Sequence, residues 1–230
     1  MPGAAVLRVA SYNTRDFLDD HHLAARLVRA VDPDVLCLQE VPRRLFAPGR
    51  VRRFAAACGM DWGGAHRGSG GTTVLTGPRV QVLAAAHTRL PVRWPDRTRG
   101  YAVARVLAPG GVAVTVASVH LSLRAPERLA HTERILAALA DREPLVLAGD
   151  LNEGDTGAAW RLIDVTGRLR PVSPPDPTFP ARAPRRRLDV VFASPGLRVL
   201  PHREVAVPDA VWARASDHRA VWVDLDVSAG

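Results

Sequence analysis

The sequence predicts an α/β fold around one core, with a sheet that is not purely parallel. Three observations carry that expectation. Short apolar runs of strand length, such as Val35 to Leu38 and Leu145 to Ala148, alternate with segments of helical spacing along all 230 residues. Turn signals such as Pro109-Gly110-Gly111 separate neighbouring β-rich runs, and tight turns join antiparallel strands. No repeat and no linker divides the chain, whose length suffices for one sizeable core, so residues 1–230 are expected to form a single domain.

Val6 to Tyr12 reads as the first strand, ending at Asn13. Asp19 or Asp20 can cap a helix running to Val31, with Leu23, Leu27 and Val28 on its apolar face and Asp32-Pro33 ending it. Val35 to Leu38 is a buried strand that ends at Gln39-Glu40. A second helix is expected from Val51 to Cys58, closed by Gly59. Four β-rich runs come next: Thr72 to Leu75, Val80 to His87, Tyr101 to Leu107 and Val112 to His120, the last two a hairpin. Leu129, Ile135, Leu136 and Leu139 recur at helical spacing between Glu127 and about Ala140. Leu145 to Ala148 is a buried strand that stops on Gly149-Asp150-Leu151-Asn152, and a short helix is expected over Ala158 to Ile163. Ser173 to Pro184 is a proline-rich loop. Three strands complete the chain: Leu188 to Ala193, Leu197 to Val207 and Ala220 to Val227.

Composition excludes several classes. No run approaches the roughly 18 apolar residues a membrane span needs, so no membrane insertion is expected. The first residues carry no charged leader ahead of an apolar segment, which makes a cytoplasmic location the default. Cys37 and Cys58 make no disulfide framework and no paired zinc spacing. The net charge of +8 and pI near 11.1 would suit a nucleic acid, but the chain has no lysine and its arginines are spread out. The charge therefore reads mainly as composition bias, with modest weight toward a polyanionic substrate. The glycine-rich Gly68-Ser69-Gly70-Gly71 lacks the lysine of a P-loop and reads as a flexible segment bordering the site. His21-His22 reads as solvated, and no G-x-S-x-G motif occurs.

The strand ends share one chemistry. Asn13, Glu40, His120, Asp150 with Asn152, and Asp217-His218 all sit where strands leave or enter the sheet, and Asp189 opens the run Val190-Val191-Phe192. Ligands of α/β sheets gather at such ends. Taken singly, each is an ordinary turn or surface residue. If Glu40, Asp150 and Asp217 converge, two carboxylates about 4 Å apart repel by roughly 4 kcal/mol at an effective dielectric near 20. Such a cluster stays ionised around a cation, and oxygen ligands select Mg2+ or Mn2+ over zinc. A divalent ion with two histidines suits a phosphate ester. The whole expectation rests on Glu40 and His218 meeting at one edge of the fold.

Ser11-Tyr12-Asn13, Leu38-Gln39-Glu40-Val41, Val119-His120-Leu121, Gly149-Asp150-Leu151-Asn152, Arg187-Leu188-Asp189 with Phe192, and Ser216-Asp217-His218 together resemble the endonuclease/exonuclease/phosphatase family. They occur in the family's order over nearly the whole chain. The resemblance implies a four-layer α/β sandwich: two mixed, mainly antiparallel sheets packed face to face with helices outside. It implies Glu40 as the principal metal ligand, with Asn13 beside it and Asp217 at the same or a second ion. Asp150 would orient or deprotonate the attacking water, and Asn152 would donate to the phosphate. His218 would donate to a phosphoryl oxygen with Asp189 on its other ring nitrogen. His120 would contact the phosphate or protonate the leaving group, and a histidine there resembles the deoxyribonuclease, sphingomyelinase and inositol-phosphatase branches. The implied activity is hydrolysis of a phosphodiester or phosphomonoester by activated water. A DNA or RNA nuclease and a non-catalytic binding module are the alternatives. Arg182, Arg185, Arg186 and Arg187 read equally as a second phosphate site and as a solvated loop. Oligomeric state is open.

Overall fold

The computed structural model describes residues 5–228 apart from 45, 65, 66 and 167. The strands are β1 (Val6–Asn13), β2 (Val35–Gln39), β3 (Asp61–Trp62), β4 (Thr73–Thr76), β5 (Gln81–Leu90), β6 (Arg99–Leu107), β7 (Ala113–His120), β8 (Leu145–Asp150), β9 (Arg170–Pro171), β10 (Asp189–Ala193), β11 (Arg198–Val199) and β12 (Val221–Asp226). The helices are α1 (His21–Val31), α2 (Ala47–Cys58), α3 (Ala125–Ala138), α4 (Ala158–Val165) and α5 (Asp209–Ala215).

Two six-stranded sheets result, in the orders β11-β12-β1-β2-β4-β3 and β5-β6-β7-β8-β10-β9. In each, one central pair is parallel, β1 with β2 and β7 with β8, and the remaining pairs are antiparallel. Side-chain alternation explains the layers. Val9, Val35, Cys37, Val223 and Leu225 of the first sheet interleave with Val114, Val116, Val146, Ala148 and Val191 of the second. The opposite faces pack outward. Tyr12, Leu36 and Leu38 meet α1, α2 and α5, while Val119, Leu147 and Phe192 meet α3 and α4. The order helix, sheet, sheet, helix is the four-layer sandwich the motifs led us to expect.

Local signals account for most boundaries. Asp20 caps α1, its carboxylate accepting from the Leu23 backbone N–H, and Asp32 ends the helix in a left-handed conformation. Two expectations fail. The run Leu197 to Val207 is not one long strand: only Arg198–Val199 pairs, Pro201 then interrupts the run, and α5 forms over Asp209–Ala215. Helix α2 begins at Ala47 rather than Val51, because Pro48 lies in its first turn, where its missing N–H breaks no helical bond. Among the described residues no helix is long and apolar enough to cross a membrane.

Candidate active site

The inner-face residues of the sandwich lead to its rim. Along β1 the set Val9, Ser11, Asn13 faces inward; along β2 it is Val35, Cys37, Gln39. The same count runs Val116, Ser118, His120 on β7, and Val146, Ala148, Asp150 on β8. On β10, Asp189 stands two residues before Val191. The apolar interior thus becomes polar at one edge. Because both parallel pairs end there, their last residues lie side by side: Asn13 opposite Gln39, and His120 opposite Asp150. Antiparallel β10 starts there, setting Asp189 opposite Asp150. Gly149 makes the β7–β8 approach feasible, since a Cβ on it would lie 2.0 Å from the Val119 carbonyl oxygen.

The two sheets are tied just beneath this rim. Gln39 Nε2 donates across to Ser118 Oγ at 3.1 Å, and Ser118 Oγ donates back to the Leu38 carbonyl at 3.2 Å. Ser11 Oγ holds the Gln39 side-chain oxygen at 3.3 Å. Glu40, one residue past the strand, has a φ of 50° and Asn152 a φ of 54°. Both leave extended geometry at the point where their side chains are needed, a strain that concentrates at functional sites.

The resulting contacts run unbroken along the edge. Glu40 Oε1 lies 3.8 Å from His120 Nε2, and the same nitrogen lies 3.5 Å from Asp150 Oδ2. Asp150 Oδ2 is 3.8 Å from His218 Nε2, and His218 Nδ1 bonds Asp189 Oδ2 at 2.8 Å. Asn13 Nδ2 donates to Asp150 Oδ2 at 2.9 Å, and the Asn152 backbone N–H to Asp150 Oδ1 at 2.8 Å. Asn152 Nδ2 also donates to the Leu121 carbonyl. Ser216 positions His218: its hydroxyl donates to the Asn13 carbonyl at 2.7 Å and accepts from the His218 N–H. Asp217 turns to Arg15, with its Oδ2 3.5 Å from Arg15 Nε.

Electrostatics separate the two histidines. Burial, with the nearby charges of Arg99 and His218, holds His120 well below the ordinary histidine range, so it is neutral. Burial also acts to lower His218, but the Asp189 charge and hydrogen bond, then Asp150, overcome it and carry the ring up to about 10. Asp150 is raised above the usual carboxylate range, first by burial and further by Asp189, against the stabilising charge of His218.

Among the described residues the tight group of potential metal ligands is Asp150, Asp189 and His218, with ligand atoms within 4.8 Å of one another. Within it Asp189 Oδ2 already accepts from both His218 and Thr178, while Oδ1 is buried without a hydrogen-bond partner among the described residues. Glu40 offers a carboxylate about a quarter exposed, at 27%, with no hydrogen bond among the described residues. Asn13 Oδ1 accepts one bond, from the Arg15 N–H, and keeps a second lone pair. These oxygens suit a hard divalent ion. The expected meeting of three carboxylates is thus partial: Glu40 and Asp150 flank one imidazole, while Asp217 is engaged by Arg15.

Sequence reasoning missed three contributors. Thr178 donates to Asp189 at 2.6 Å. The Phe179 ring packs 4.8 Å from the His218 ring. Arg99, buried at 8% exposure, donates through Nε to Leu121 O and interacts electrostatically with Glu40 and Asp150. A lone arginine entering a strand carries no signal in a chain whose every basic side chain is arginine. In the arginine triplet, Arg187 lies 4.9 Å over the Trp160 ring and donates to the Ser173 carbonyl, while Arg185 and Arg186 are exposed.

The comparisons agree with this architecture. A model described as the Endonuclease/Exonuclease/phosphatase family matches residues 10–218. No curated protein sequence matches. Among solved structures, an endonuclease/exonuclease/phosphatase from Beutenbergia cavernae is similar at 24% identity and a TM-score of 0.74, over 97% of this chain and 72% of that one. A mannosyl-6-phosphatase from Bacteroides thetaiotaomicron is similar at 20% identity and a TM-score of 0.74, over 95% and 99%. ANGEL2, a 2',3'-cyclic phosphatase, is similar at 16% identity and a TM-score of 0.76, over 96% of this chain and 95% of that one.

Proposed function

Since the chain belongs to the endonuclease/exonuclease/phosphatase family, we propose that it is a Mg2+- or Mn2+-dependent phosphoesterase that cleaves a P–O bond by in-line attack of water. A phosphodiester is the preferred substrate, and residues 1–230 act as one catalytic unit. The observation that carries this reading is the continuous run Glu40–His120–Asp150–His218–Asp189 at one rim.

Glu40 and Asn13 would hold the ion, with Asp217 next to them once released from Arg15. When bound, the ion neutralises phosphate charge and polarises the P–O bond. Asp150 accepts a proton from the attacking water; its raised proton affinity and the two hydrogen bonds that fix its oxygens suit that task. His218 carries a proton at neutral pH and donates from Nε2 to a phosphoryl oxygen, while Asp189 on Nδ1 sets the ring's orientation. Neutral His120 donates a hydrogen bond to the phosphate or the leaving oxygen. Asn152 has one amide hydrogen on Leu121 O and directs the other to the phosphate. Arg99 adds fixed positive charge behind the reacting group.

The test is hydrolysis of bis(p-nitrophenyl) phosphate with and without chelator. EDTA should abolish turnover, and Mg2+ or Mn2+ should restore it. Full activity in EDTA would overturn the metal requirement. No activity on any ester with either ion would favour a binding module. A nuclease is the second reading, favoured by the net charge of +8. Oligonucleotide affinity falling steeply with salt would support it.

A further inference from the structure

Beside the rim lies a recess of about 530 Å3 whose walls include Asp16, Arg43, Arg44, Arg50, Arg97 and Thr98. Four arginines and one aspartate thus line it. We propose that this recess binds a second phosphate of the substrate, so that the preferred ester carries two phosphate groups. This rests on the phosphoesterase reading above and names its substrate class.

Two of the recess arginines, Arg43 and Arg50, are held by neutral oxygens, unlike several arginines elsewhere. Arg8, Arg79, Arg124, Arg128 and Arg198 each pair with a carboxylate. Arg43 is braced instead by neutral oxygens: Nη1 donates to Thr98 Oγ1 at 2.7 Å and to the Thr98 and Gly70 carbonyls at 3.2 Å. Arg50 Nη2 donates to the Asp16 and Phe17 carbonyls at 3.2 and 3.4 Å. Neutral acceptors orient a guanidinium without neutralising it, which leaves its charge for an anion. Arg97 meets Asp16 at 3.3 Å, with its side chain 64% exposed, a pairing weak enough for phosphate to displace. Gly71, at φ +93°, makes room for the Arg43 stem, since a Cβ there would lie 2.8 Å from Arg43 Cδ.

The recess is also joined to the reacting centre. The Asp16 N–H donates to the Glu40 carbonyl at 2.6 Å. Arg43 lies three residues beyond Glu40, a reach of at most about 11 Å. Arg97 precedes Arg99, which interacts with both Glu40 and Asp150. An ester bound at Glu40 and His218 therefore has its next anionic group within range of this wall. The second phosphate can come from the next nucleotide of a strand or from a phosphorylated polyol; the recess recognises the group they share.

The test uses substrate pairs that differ by one phosphate: a dinucleotide with and without a 5'-phosphate, and glycerophosphoinositol with and without a 4-phosphate. In the wild type, kcat/KM should favour the phosphorylated member at least tenfold in one pair, and that pair identifies the source. Arg43→Ala should bring the ratio close to one, mainly through KM. Because Arg43 also braces its loop, the exposed double variant Arg44→Ala/Arg97→Ala serves as the second test and should do the same. A wild-type ratio near one in both pairs, or a preference that survives both variants, overturns the proposal. If no ester is cleaved with either metal, the phosphoesterase reading fails, and inorganic pyrophosphate titrated in EDTA still decides on the recess. Binding that weakens tenfold or more in the double variant supports it; absent or unchanged binding sinks it.

Discussion

Asp189→Asn separates charge from shape at the centre of the site. Asp189 Oδ2 accepts from His218 Nδ1 at 2.8 Å and from Thr178 Oγ1 at 2.6 Å. Thr178 Oγ1 itself accepts from the Leu188 and Asp189 N–H groups, so its one hydrogen goes to the carboxylate. An asparagine must then keep its oxygen in that place and turn its NH2 to where Oδ1 lies, buried and without a hydrogen-bond partner among the described residues. The tautomer of His218 is preserved, and the negative charge beside it is lost. With the Asp189 charge gone, only Asp150 and Asp217 are left to oppose burial, and the ring falls well below its value of about 10. A histidine at the ordinary value of 6.5 is only about 3% protonated at pH 8, so kcat/KM should fall by up to roughly thirtyfold. The assay is kcat/KM on a diester from pH 6 to 9 for both proteins. The deficit should widen as pH rises, because the wild-type ring stays protonated over that range while the variant's does not. The unpaired NH2 should also cost about 1–3 kcal/mol of stability, a melting shift of several degrees. A variant whose pH profile matches the wild type would refute the role of Asp189 as the source of the His218 proton affinity.

Three further outcomes are expected. Asp150→Ala and His218→Ala should each reduce diester turnover at least 10²-fold, with the fold retained by circular dichroism; near-normal rates in either would remove its assigned role. Arg99→Ala should lower kcat by about 10²-fold through lost charge at the developing transition state, with KM moving less; a change in KM alone would make Arg99 a docking group only. His131 is buried, with Nε2 2.7 Å from the Pro91 carbonyl and Nδ1 unpaired among the described residues, and burial lowers its pKa. The unfolded chain therefore binds this proton more readily, so stability is full above pH 6.5 and declines as pH falls. By pH 5.5 the contribution is bounded at about 1.4 kcal/mol, and denaturant melts of His131→Gln should show a shallower acid slope.

The strand ends were legible because they combine two plain signals, an apolar run of strand length and a polar terminus of unusual composition. Asn13, His120 and Asp150 continue the inward period of their strands, so their positions come from counting by two. Tertiary packing sets the features that the sequence hides. Helix α5 is seven residues long and depends on Trp212, which lies 6.5 Å from the Trp222 ring, a contact between distant segments. Glu40 departs from strand parity through a positive φ that no residue type announces. Arg99 and the recess arginines are invisible among 31 basic residues of one kind. Which lone pairs of Glu40, Asn13, Asp150 and Asp189 are already occupied is likewise set by tertiary packing and leaves no mark in the sequence.

The sheet order has a consequence for assembly during synthesis. One sheet is a continuous stretch, β5 to β10, whereas the other needs β1 to β4 from early in the chain and β11 with β12 from its far end. His218 enters just ahead of β12, which pairs along β1. The proposed site is therefore incomplete until the closing strand docks on β1, however well the middle segment has already folded.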